Sequence, residues 1–131
     1  MLRSAWTPGP AADVTGPVLL AVTAFHADRW YDLPGIHRSG RALGRAWPRL
    51  GGAVGMWLWT EPRRRACGSV SVWRNEPALR GFVASPDHVT IMLRYRGRGR
   101  LTSSAWWTDQ GRPADLWAQA RPYLPDGEGP R

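Results

Sequence analysis

From Gly68 to Trp107 a strand runs directly into two helix starts and returns to a strand, and that order limits what the chain can become. Ser69-Val70-Ser71-Val72-Trp73 alternates and ends in an aromatic residue, as a half-buried strand does. Asn75-Glu76-Pro77 follows at once. Asn accepts hydrogen bonds at an N-cap, an acid suits the first turn, and Pro is tolerated there. Ala78, Leu79 and Phe82 form the apolar side of the helix so opened. Ser85-Pro86-Asp87-His88 repeats the signal and opens a second helix, bearing Met92, Arg94 and Tyr95. After the turn Gly97-Arg98-Gly99, Leu101 to Thr108 reads as a strand.

The preceding chain supplies the rest. Val18–Thr23 is a short apolar run, read as a buried strand. Leu33 to Trp47 turns helical, with Ile36, Gly40, Leu43 and Trp47 on one stripe and Pro48 as its stop. Val54–Thr60 alternates, with Trp57 and Trp59 on one face and Met56 and Leu58 on the other. A polar loop, Glu61 to Arg65, links it as a hairpin to Cys67–Trp73. Ala114–Ala120 is a weaker terminal helix. The order β-α-β-β-α-α-β predicts an α+β fold: a ferredoxin-like, four-stranded antiparallel sheet with helices on one face. Residues 17–120 form the single domain, residues 1–16 a flexible or loosely docked arm, and residues 121–131 a tail. Both sheet faces carry large apolar side chains, so the face without helices needs cover. A second copy, stacked sheet against sheet in a twofold dimer, is the expected cover.

Composition excludes several chemistries. All 18 basic residues are arginine, so lysine Schiff bases and lysine P-loops are out. A net charge of +8 favours anionic surfaces; nucleic acid is the weaker reading, because Arg94, Arg96, Arg98 and Arg100 sit where a helix end attracts cations anyway. Cys67 is the only cysteine, which removes intrachain disulfides and cysteine-rich zinc sites and reads as a buried, inert thiol. His26, His37 and His88 form no metal spacing, and no carboxylate pair supports a glycosidase. No apolar run reaches the length of a membrane span, and cytoplasm is the default location.

Trp73, Ala78, Leu79, Phe82, Ser85, Pro86 and His88, with the strands around them, resemble the antibiotic-biosynthesis-monooxygenase type of dimeric α+β barrel. Ser71-Val72-Trp73-Arg74 and the downstream histidine also resemble spheroidene monooxygenase, a carotenoid-oxidising relative. The resemblance covers about residues 17–108 and implies the fold, while the reactions on that fold range from cofactor-free oxygenation to haem chemistry and cyclisation.

The candidate catalytic residue is His88. In the first turn of a helix, the dipole disfavours a second proton, leaving a neutral imidazole able to accept one. A capping or core histidine is the structural alternative. Trp57, Trp59, Trp73, Met92, Tyr95 and Arg94 are the candidate substrate-binding residues: an electron-rich wall with a cation for an anionic group. Core packing, interface and solvation are the competing roles for these side chains. The function expected is a small homodimeric oxygenase of secondary metabolism, acting on an electron-rich aromatic or polyene without a cofactor. A cyclase or isomerase using the same proton transfer, and a non-catalytic ligand- or haem-binding dimer with His88 on the iron, are the alternatives.

Overall fold

A computed structural model describes residues 1–109 and 112–125. Four long strands make the sheet: β3 (Pro17–Ala27), β4 (Ala53–Glu61), β5 (Ala66–Trp73) and β6 (Gly99–Asp109). Two short ones, β1 (Leu2–Arg3) and β2 (Thr7–Pro8), add to the edge of β4. All pairings are antiparallel and the order is β1-β4-β5-β3-β6. The four long strands thus stand in the ferredoxin-like order β4-β5-β3-β6, with the first strand between the third and the fourth. The helices are α1 (Leu33–Arg45), α2 (Glu76–Val83), α3 (Pro86–Arg94) and α4 (Pro113–Ala120).

The caps do the work their residue types suggest. The backbone N–H of Ala78 donates to Asn75 Oδ1 at 3.0 Å and that of His88 to Ser85 Oγ at 3.4 Å. Helix α1 ends at Arg45, and Trp47 turns inward just before Pro48, nearly fully buried.

Strand alternation divides the apolar residues into two layers. Leu19, Ala21, Met56 and Trp73 face α1 and α2, where they meet Trp47, Leu79 and Phe82. Leu20, Val22, Trp57, Trp59, Val70 and Val72 face the other way.

That second face corrects two expectations. Residues 1–16 are not a loose arm: β1 and β2 pair with β4, and Trp6, Ala11 and Val14 pack on the sheet. Helix α4 adds Leu116, Trp117 and Ala120. The chain therefore covers with its own ends the surface that was assigned to a second copy. The physical reason is aromatic burial. Trp6 and Trp117 lie 4.5 and 5.3 Å from Trp57, and the Arg3 guanidinium sits 4.5 Å over the Trp117 ring. Gly55 permits the docking, because a Cβ there would collide with the Trp6 ring. Of the expected tail, Arg121–Tyr123 form a helical turn and Tyr123 stacks on Trp106 at 4.5 Å, while residues 126–131 lie outside the described residues. What stays open is β6: its helix-side row, Leu101, Ser103, Ala105 and Trp107, is exposed throughout.

Candidate functional site

His88 stands in the first turn of α3, half-buried, with its ring 5.0 Å from Phe82 and edge-on to it. Phe82, on α2, in turn meets Trp73 at 5.4 Å and Trp47 at 5.5 Å. Trp47 and Trp73 close the cluster at 4.9 Å. Each such ring contact contributes about 0.5–1.5 kcal/mol beyond simple burial. Burial lowers the His88 pKa, partly opposed by the backbone of Val83. The imidazole is therefore neutral at neutral pH and fit to receive a proton.

Trp47 Nε1 is buried and makes no hydrogen bond, and His88 Nδ1 is buried without a well-formed one, the Val83 backbone being the hydrogen-bonding group at the imidazole. Both rings contact the same Phe82 ring. Trp73, by contrast, is satisfied: its Nε1 donates to Ser71 Oγ at 2.9 Å. An unpaired buried polar group costs about 1–3 kcal/mol, so the one at Trp47 calls for an explanation. Helices α2 and α3, which carry Phe82 and His88, bury none of their residues fully and expose Val83, Val89, Met92 and Leu93. This pair of helices is lightly anchored over the cluster.

The structure brings together His88 and the Trp73 side of the aromatic set, and separates the others. Trp57 and Trp59 point to the opposite sheet face, under Trp6 and Trp117, and belong to that core. Met92 and Arg94 are exposed on α3. Tyr95 is half-buried, 6.4 Å from Phe25, and its hydroxyl fills the space a Cβ at Gly35 would need. Trp47 was placed by sequence only on a helix stripe; its indole nitrogen has no local sequence signal.

A separate groove of about 730 Å³ runs between α1, β4 and the N-terminal residues. Trp30, Leu33, His37, Arg41, Leu58 and Thr60 are among its lining; of these Leu58 also packs on the layer that holds Trp47 and Trp73, and none of the six is in ring contact with His88 or Phe82. Elsewhere, Cys67 is buried and its thiol is pushed up to about 11, an inert side chain as its sequence position suggested. Among the described residues no cluster of His, Cys, Asp and Glu could hold a metal ion, and no helix is long and apolar enough to cross a membrane.

No protein-family model matches the chain, and no curated protein does. Solved structures do. A mutant of SnoaB, a cofactor-independent oxygenase from Streptomyces nogalater, superposes with a TM-score of 0.55 at 17% identity, over 73% of this chain and 97% of that one. An antibiotic biosynthesis monooxygenase gives 0.57 at 11% identity, over 71% and 98%. A dimeric ferredoxin-like protein of unknown function from a Jannaschia species gives 0.58 at 13% identity, over 68% and 97%. At these identities the likeness shows the fold, a ferredoxin-like α+β fold.

Proposed function

We propose that this protein is a small, cofactor-independent oxygenase that acts on an electron-rich aromatic phenol or enol between α2, α3 and Trp47. The observation that carries the reading is that a half-buried His88 and the buried, unpartnered Nε1 of Trp47 belong to rings packed against the same Phe82 side chain. His88 accepts the hydroxyl proton. Trp47 Nε1 donates a hydrogen bond to the resulting oxyanion, strongest when negative charge is greatest. The delocalised anion then gives electrons to dioxygen at a ring carbon. One oxygen atom is retained as a carbonyl and the other leaves as water, so the substrate supplies all the electrons. The likeness to SnoaB supports the reaction class. Substrate entry requires α2 and α3 to part, a gating step on weakly held elements.

Haem does not suit this cluster. The Phe82 ring occupies the space beside His88 and is backed by Trp47 and Trp73, both nearly fully buried.

The working form is a homodimer joined at β6, whose open row and free edge are the part of the sheet left without cover. The dimeric ferredoxin-like neighbour supports an assembly of this kind.

The test is oxygen uptake by purified protein with a panel of polycyclic phenols and anthrones. One dioxygen consumed per quinone formed, without added metal or flavin, supports the oxygenase. Turnover without oxygen uptake replaces it by the cyclase or isomerase reading, which uses the same proton transfer.

A further inference from the structure

We infer that the groove between α1 and β4 is a second binding site, separate from the His88 cluster, for a small flat anion: an aromatic body bearing one carboxylate, sulfonate or similar group. The geometry begins with α1. Leu33, His37 and Arg41 are four residues apart and form one stripe overhanging the groove. Below them Leu58 and Thr60 project from the same face of β4. Trp30 forms part of the wall and is 70% exposed, a large aromatic surface left in water. The volume lies in the range of sites that enclose small organic ligands.

Charge settles the sign of the ligand. The lining contains Arg3, Arg41 and His37 and no carboxylate. Arg3 is already engaged, its guanidinium 4.5 Å over Trp117 and 5.7 Å over Trp57. Arg41 makes no ion pair or hydrogen bond among the described residues, although the chain has carboxylates elsewhere that pair with Arg80, Arg98 and Arg112. Its guanidinium fork is free to take a planar anion in two hydrogen bonds. His37 Nδ1 lies 3.3 Å from Thr60 Oγ1. With the threonine hydroxyl donating to Nδ1, the proton sits on Nε2 and gives the groove a second donor. A flat body on Trp30 and Leu58, with its anionic end at Arg41, satisfies both halves of the lining.

The test uses anilinonaphthalene sulfonate, an aromatic anion, and phenylnaphthylamine, its uncharged counterpart, as fluorescent probes on the full chain. The sulfonate is expected to bind, quench tryptophan emission through Trp30, and outcompete the neutral probe. Arg41→Gln weakens it by about tenfold or more, as loss of one charge-assisted contact does. His37→Leu, which keeps the bulk, weakens it by a smaller factor. Arg45→Gln, one turn further along α1, leaves it unchanged, and so does His88→Ala. Equal binding of the neutral probe, or indifference to Arg41→Gln, overturns the proposal. Loss of binding in His88→Ala also overturns it, by placing the probe in the other site. Binding that vanishes as protein concentration rises does the same, since a second copy then fills the groove.

Discussion

The indole of Trp6 lies 4.5 Å from that of Trp57, tilted by 55°, so the N-terminal segment forms part of the core. Sheet, arm and α4 meet at Trp57, which touches Trp6 on one side and Trp117 on the other. In this arrangement the chain's own ends cover the sheet face opposite α1–α3 over β3, β4 and β5, while Thr102 and Ser104 of β6 stay exposed.

The arm therefore contributes to stability. Trp6→Ala should lower the free energy of unfolding by about 1–2 kcal/mol, less than the 3–5 kcal/mol typical of a fully buried tryptophan because Trp6 is half-exposed. Gly55→Val should have a similar or larger effect, since its side chain takes the space of the Trp6 ring. Urea unfolding followed by tryptophan emission measures both. An unchanged midpoint in either variant would show that the arm is loose.

Assembly should depend on β6 and not on the covered face. Light scattering at micromolar concentration should give twice the chain mass. Trp107→Lys, at an exposed position on β6, should return the protein to monomer, whereas Trp6→Ala should leave the dimer intact. Dissociation by Trp6→Ala with no effect from Trp107→Lys would place the interface on the other face.

Acid should destabilise the fold through two histidines. Burial lowers the pKa of His88, and burial together with Arg100 lowers that of His26. The unfolded chain then binds more protons than the folded one below the ordinary histidine value of about 6.5. Stability is full above that pH and falls as pH drops through it towards the folded values. Unfolding measured from pH 7 downward should show this slope, and His88→Leu should reduce it. A slope identical in the variant would mean that His88 titrates normally.

Much of the fold was legible from local chemistry. Asn75 and Ser85 cap the helices they announce, and the alternation of Trp57 and Trp59 against Met56 and Leu58 holds along β4. The faces of different strands could not be matched from sequence. Trp73 aligns with Ala53, and the register shifts between Ala53 and Gly55, so Trp57 and Trp59 fall opposite to Trp73. A bulge of one residue decides which tryptophans share a face, and nothing local marks it. The cover by Trp6 and Trp117 joins the two ends of the chain, a long-range closure with no periodic signal. The partnerless nitrogen of Trp47 likewise depends on three elements meeting.

In the proposed reaction His88 accepts a proton and Trp47 steadies the anion left behind. The most direct measurement is kcat for oxygen uptake in wild type, His88→Ala, His88→Gln and Trp47→Phe, with unfolding midpoints taken alongside. His88→Ala and His88→Gln should both lose about 10²–10⁴ in kcat, the range of a general base, while stability changes by no more than about 1–2 kcal/mol. Trp47→Phe keeps most of the packing and loses the donor, and should cost about 10–10³ in kcat. In wild type the rate should be full at neutral pH and decline as pH falls through the lowered His88 pKa, with the midpoint below the ordinary histidine value. Full activity in folded His88→Gln, or a pH profile unchanged by it, would mean that His88 is not the proton acceptor.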